Sequence, residues 1–245
     1  MSNETALPAT QRKGWLGDIL LILILGAACF GAALLIIHLM DVKTPGKFFQ
    51  RMGMSFAFVT VGVLAGGRRT PYGRLILAGL VFGWWGDYWL SFSGWGRFLI
   101  GLVTFLTGHV CYLVAFWRYG SKLRVAGIAL GVLVFPIVGL FILLMPGIPP
   151  SLYPWVILYM CVISGMLAVA IGAISLPGGR IIAAAALSFW ISDVFVAYAH
   201  FIHRSIWTSW GVTIFYLSAQ FAMAASIAAT RRGEKNLVKQ TVSRP

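Results

Sequence analysis

Two aspartates, Asp87 and Asp193, stand inside long apolar runs, where an ionised carboxylate costs several kcal/mol unless a neighbour offsets it. The chain has six acidic residues, and the other four (Glu4, Asp18, Asp41 and Glu234) lie in the tails or near the end of a run. Burial disfavours the charged form of a carboxylic acid, and a second carboxylate nearby disfavours a second charge. A pair of this kind divides into a proton-holding acid and an ionised base. That division is what the cleavage of an acid-labile ether through an oxocarbenium-like state requires.

Further polar residues recur in the same kind of sequence. His109 and Tyr112 are three apart and share a helix face; Tyr216 and Gln220 are four apart and do the same. Ser188 and Ser192 accompany Asp193, and His200 follows seven residues later. Each of these side chains also serves as an ordinary interhelical hydrogen-bond partner in a membrane bundle. Two other chemistries use similar residues. Zinc would draw on His109, the two aspartates and the His200/His203 pair, although no HExxH or CxxC spacing is present. A proton-coupled carrier would use the intramembrane carboxylates, with Gly83 and Gly86 beside Asp87, but of ten prolines only Pro136 falls deep within an apolar run.

The elements that must position these groups follow from composition. The chain is 60% hydrophobic and 10% charged, with a mean hydropathy of +0.88, well outside the soluble globular range. Eight apolar runs, each about 20 residues and long enough to cross a ~30 Å hydrocarbon core, cover 17–39, 51–67, 74–93, 97–117, 123–145, 152–175, 180–202 and 207–229. The expected fold is therefore an all-α, polytopic bundle of eight transmembrane helices over 17–229, with an N-terminal tail (1–16) and a basic C-terminal tail (230–245). The first run follows Arg12 and Lys13, but its apolar core from Ile19 to Ile37 exceeds the 7–15 residues of a cleaved signal and reads as a retained helix.

The formal charge of +13 would suit nucleic acid, yet the basic residues flank apolar helices, so no nucleic-acid partner is expected. Fourteen of nineteen Lys and Arg residues fall in both tails and in the loops after runs 2, 4 and 6, which places both termini in the cytoplasm. In a bacterium this would be the inner membrane. Lys43, Lys47, Arg51, Arg97 and Arg204 remain on the far side. Cys29, Cys111 and Cys161 all lie in apolar runs and form no disulfide framework. Trp89, Trp95, Tyr153, Trp155, Trp207 and Trp210 cluster at the outer ends as an interfacial belt.

Runs 3 and 4 resemble runs 7 and 8: an aromatic-rich helix carries one Asp after Gly86 or Ser192, and the next helix carries a polar cluster. Four runs separate the two units, so they read as a parallel repeat. At ~1.5 Å per residue, Asp87, Asp193, His109 and Gln220 all reach a central layer, roughly 20 Å from the nearer helix start.

In order along the chain come FGWWGD ending at Asp87, F-x-x-x-H-x-x-Y at Phe105, His109 and Tyr112, Y-x-x-x-x-x-x-M at Tyr159 and Met166, F-x-x-S-D at Phe189, Ser192 and Asp193, and Y-x-x-x-Q at Tyr216 and Gln220. Over about two thirds of the chain this pattern resembles the lysoplasmalogenase, or YhhN-like, family of multi-pass membrane proteins. The resemblance implies hydrolysis of the vinyl ether bond of a lysophospholipid, yielding a fatty aldehyde and a glycerophospho-alcohol. It also implies that Asp87 and Asp193 are the catalytic pair, that His109, Tyr112, Ser192, Tyr216 and Gln220 support them, and that no metal or organic cofactor is needed. In one departure, the Lys-Pro pair with which the family opens its second helix is here split as Lys43-Thr44-Pro45, followed by Lys47. Either lysine is placed to meet a lipid phosphate or to anchor at the interface.

Overall fold

A computed structural model describes residues 45–242, with side chains over 48–233 apart from Gln50; the first apolar run and Lys43 lie outside the described residues. Among those residues the protein is all-helical. Seven α-helices follow in order: α1 (Pro45–Leu64), α2 (Pro71–Leu90), α3 (Trp95–Gly120), α4 (Leu123–Leu144), α5 (Tyr153–Gly172), α6 (Gly179–Phe201) and α7 (Ile206–Val242). Two 3₁₀ turns, Met145–Gly147 and Pro150–Leu152, join α4 to α5. Five helices, α3 to α6 and the first 28 residues of α7, are long and apolar enough to cross a membrane. The chain is a multi-pass membrane protein.

Local chemistry sets the helix limits. Pro45 and Pro71 open α1 and α2, where a missing N–H costs nothing. Thr70 caps α2, its Oγ1 accepting from the Gly73 N–H at 3.0 Å. Between these helices Gly66 takes φ +88°, a left-handed value that Gly adopts without strain. Two helices depart from the expected limits. The second run was expected from residue 51, but α1 starts six residues earlier because Pro45 begins a helix irrespective of hydropathy. The last run was expected to stop at 229, but α7 continues through the basic segment to Val242, a length of ~55 Å. Hydropathy marks where lipid ends, and no Pro within 230–242 stops the helix there.

Packing divides the bundle. α2 lies along α3 and α6 along α7, each pair forming a closely packed hairpin, whereas α2 and α7 meet over a short stretch. A core of Tyr112, Phe116, Met166, Leu167, Ile182, Phe189, Met223 and Ile227 joins the two hairpins with α5. α4 packs along α5 with one face and presents Ile128, Val132, Phe135 and Ile142 outward. An apolar helix exposed on most of its circumference is at rest only against lipid. Trp95, Trp155, Trp207 and Trp210 are likewise exposed near helix ends.

Candidate functional site

Glycines set the distance between helices at the centre. A Cβ at Gly79 would strike the Tyr112 ring, at Gly83 the Gln220 amide, and at Gly86 the Phe105 ring. These three, spaced four and three apart on α2, form a notch into which side chains of α3 and α7 insert, as small-residue faces do in membrane bundles. On α3, Gly108 lies against the Gly79 carbonyl. A narrow crevice results, lined by Gly79, Gly83, Phe105, Gly108, His109, Tyr112, Phe189 and Gln220, with residues from α2, α3, α6 and α7 all contributing. It is too tight for a water molecule.

Asp87, 5% exposed, sits at one side of this seam. Its Oδ2 accepts from Ser55 Oγ on α1 and from the Tyr216 hydroxyl on α7, both at 2.5 Å. Gln220 Nε2 donates to the Tyr216 oxygen at 3.1 Å, and Gln220 Oε1 accepts from the Tyr112 hydroxyl at 2.8 Å. The reverse amide orientation would ask the single Tyr216 proton to serve two acceptors. A directed chain therefore runs Tyr112, Gln220, Tyr216, Asp87. The charge of Arg51, one turn before Ser55, also acts on Asp87.

Asp193 lies at the other side of the seam. Its Oδ2 accepts from the Tyr159 hydroxyl on α5 at 2.7 Å. His109 Nε2 stands 3.9 Å from the same oxygen, outside hydrogen-bonding range, and neither imidazole nitrogen has a partner although His109 is 1% exposed. Its ring is held edge-on by Phe189 at 4.6 Å and by Tyr159 at 5.5 Å between centroids. Phe189 in turn meets Tyr216 at 5.6 Å. The side chains of His109, Phe189 and Tyr216 thus form a continuous bridge from Asp193 to Asp87.

The two aspartates, His109, Tyr112, Tyr216 and Gln220 are all in this layer. Ser192 is turned away: its Oγ reaches the Val212 carbonyl at 3.5 Å, tying α6 to α7. Lys47 lies in the first turn of α1, its side chain outside the described residues, as is Lys43. His200 stacks on Phe98 at 3.9 Å at the far end of α6, away from His109. Among the described residues no three His, Cys, Asp or Glu side chains converge as a metal site would need. Sequence reasoning passed over Ser55, whose only signal was a hydroxyl in an apolar run. It also passed over the Gly79-x-x-x-Gly83 spacing that makes the notch.

No solved structure matches the chain. A model of the YhhN family matches residues 47–227, a span that holds Ser55, Asp87, His109, Tyr159, Asp193 and Tyr216. On that match, over most of its length, the chain belongs to the YhhN family.

Proposed function

We propose that this protein is a membrane-embedded hydrolase that cleaves the vinyl ether bond of a lysoplasmalogen, releasing a fatty aldehyde and a glycerophospho-alcohol. The observation that carries this reading is the pair of carboxylates in one polar layer of an apolar bundle, joined by one run of hydrogen-bonding and aromatic side chains. Membership of the YhhN family supports it.

The chemistry needs only water and the two carboxyl groups. One, protonated, gives its proton to the vinyl carbon distal to oxygen. The π pair forms the new C–H bond and leaves positive charge on the carbon next to oxygen. Water attacks that carbon while the ionised carboxylate takes its proton. The hemiacetal then collapses: its hydroxyl proton goes to the first carboxylate, the second carboxyl protonates the departing glycerol oxygen, and both groups return to their starting states.

A single-chain lipid reaches the seam laterally, with its head group beside Arg51 on α1. Arg51 precedes Ser55 by four residues, about 6 Å of rise, so a phosphate held there leaves the vinyl ether near Asp87. In this reading the chain crosses the membrane eight times, both termini are cytoplasmic, and two parallel repeats supply one aspartate each.

Purified protein in detergent, given a lysoplasmalogen, is expected to release aldehyde at a rate unchanged by chelator. Loss with chelator and recovery with zinc would instead indicate a metalloenzyme, and uptake of solute into liposomes without any chemical product would indicate a carrier. No aldehyde from any vinyl ether lysolipid would overturn the proposal.

A further inference from the structure

The two carboxylates are equivalent in residue type but not in what surrounds them. Tyr216 donates to Asp87 Oδ2, and Gln220 and Tyr112 keep that proton aimed there; Ser55, whose single proton also faces the Arg51 carbonyl at 2.8 Å, stands 2.5 Å from the same Oδ2. An oxygen that accepts the Tyr216 O–H, with the Arg51 guanidinium acting on it, has the partners of a carboxylate.

Asp193 is supplied differently. It accepts one O–H, from Tyr159, and the ionisable group next to it is an imidazole with both nitrogens bare. A neutral imidazole has one N–H and one lone pair, and a buried lone pair without a donor is costly. The hydroxyls around His109 cannot supply one, because the Tyr159 proton is committed to Asp193 and the Tyr112 proton to Gln220. A proton on Asp193 is the remaining local source, and the 3.9 Å gap is of the kind that tightens when an active site is occupied.

We propose that Asp193 is the proton donor and Asp87 the base, with His109 a positioning residue that holds the Asp193 proton in place until transfer. This assignment rests on the vinyl ether reading for its chemistry, though not for its protonation states. His109 and Tyr159 between them serve both forms of Asp193. The imidazole lone pair accepts from the acid before the proton passes to the vinyl carbon, and the Tyr159 hydroxyl donates to the carboxylate left behind. When the hemiacetal collapses its hydroxyl proton returns to Asp193, and the proton that Asp87 took from water goes to the glycerol oxygen.

Infrared spectra of the full chain in detergent, compared in H₂O and D₂O, test the assignment without substrate. The exchange-sensitive C=O band of a protonated carboxylic acid is expected in the wild type and in Asp87→Asn, absent in Asp193→Asn, and shifted in His109→Phe. A band that disappears with Asp87→Asn and survives Asp193→Asn overturns the assignment, as does a wild type with no such band. In turnover of a lysoplasmalogen, His109→Phe is expected to lower kcat about 30-fold with KM unchanged, and His109→Gln, which keeps an acceptor, to recover most of the loss. Wild-type kcat in a His109→Phe protein with an unchanged thermal transition would remove His109 from the scheme. The expected bands without aldehyde release would instead leave the protonation assignment standing and fail the proposed substrate.

Discussion

The segment α1–α3 and the segment α5–α7 arrange their acids in the same crossed way and then equip them differently. In each, the middle helix carries the aspartate, the helix before it supplies one hydroxyl, and the last helix of the opposite segment supplies the next neighbour. Asp87 takes Ser55 from α1 and Tyr216 from α7; Asp193 takes Tyr159 from α5 and His109 from α3. The correspondence is positional and the difference chemical: two hydroxyls in one case, a hydroxyl and a bare imidazole in the other. Similar placement can thus leave two identical side chains in unlike protonation environments, as acid–base catalysis at a single pH requires.

The strongest way to break the comparison is to remove either acid. Asp87→Asn and Asp193→Asn are each expected to lower aldehyde release by about 10³-fold, the usual scale for a positioned acid or base, while gel filtration shows folded protein. If either variant keeps its rate, the two-carboxylate scheme fails. Next come the donors. Tyr216→Phe removes one of two O–H bonds to a carboxylate, an interaction of about 1.5–3 kcal/mol, so kcat is expected to fall roughly 10- to 100-fold. Tyr159→Phe removes the O–H donor to the carboxylate that forms as Asp193 gives up its proton, and is expected to lower kcat about 10-fold. Wild-type kcat in both variants would contradict these hydroxyl roles.

Smaller effects sharpen the contrast between the seam and the outer helix. Gly79→Ala drives a methyl into the Tyr112 ring and is expected to destabilise by about 1–3 kcal/mol, read as a lower thermal transition in detergent. Gly127→Ala on α4 meets open space and is expected to change stability by under ~1 kcal/mol, if anything upward. A Gly79→Ala protein as stable as Gly127→Ala would mean that the notch is not tightly packed.

Much of this layer was legible because membrane sequences make polarity conspicuous. Asp87, Asp193, His109, Tyr216 and Gln220 interrupt apolar runs, and helical spacing alone places them at similar depth. Ser55 was harder to read, since a serine in such a helix commonly satisfies itself on the carbonyl four residues back; here its one proton lies between two acceptors, the Arg51 carbonyl at 2.8 Å and Asp87 at 2.5 Å. Ser192 misled for the opposite reason: adjacency to Asp193 suggested partnership, but neighbouring residues on a helix diverge by about 100°, and its hydroxyl reaches α7. The direction of the chain from Tyr112 to Asp87 depends on which amide atom of Gln220 faces which tyrosine, and no spacing rule encodes that.

The tightness of the crevice has a mechanical consequence. A lipid can occupy the space between the hairpins only by prising apart a glycine-to-ring contact at mid-bilayer, against the sideways squeeze of the surrounding acyl chains. Turnover in reconstituted vesicles should accordingly follow that squeeze, rising where short or kinked tails relax it and falling where saturated tails crowd the protein's flanks.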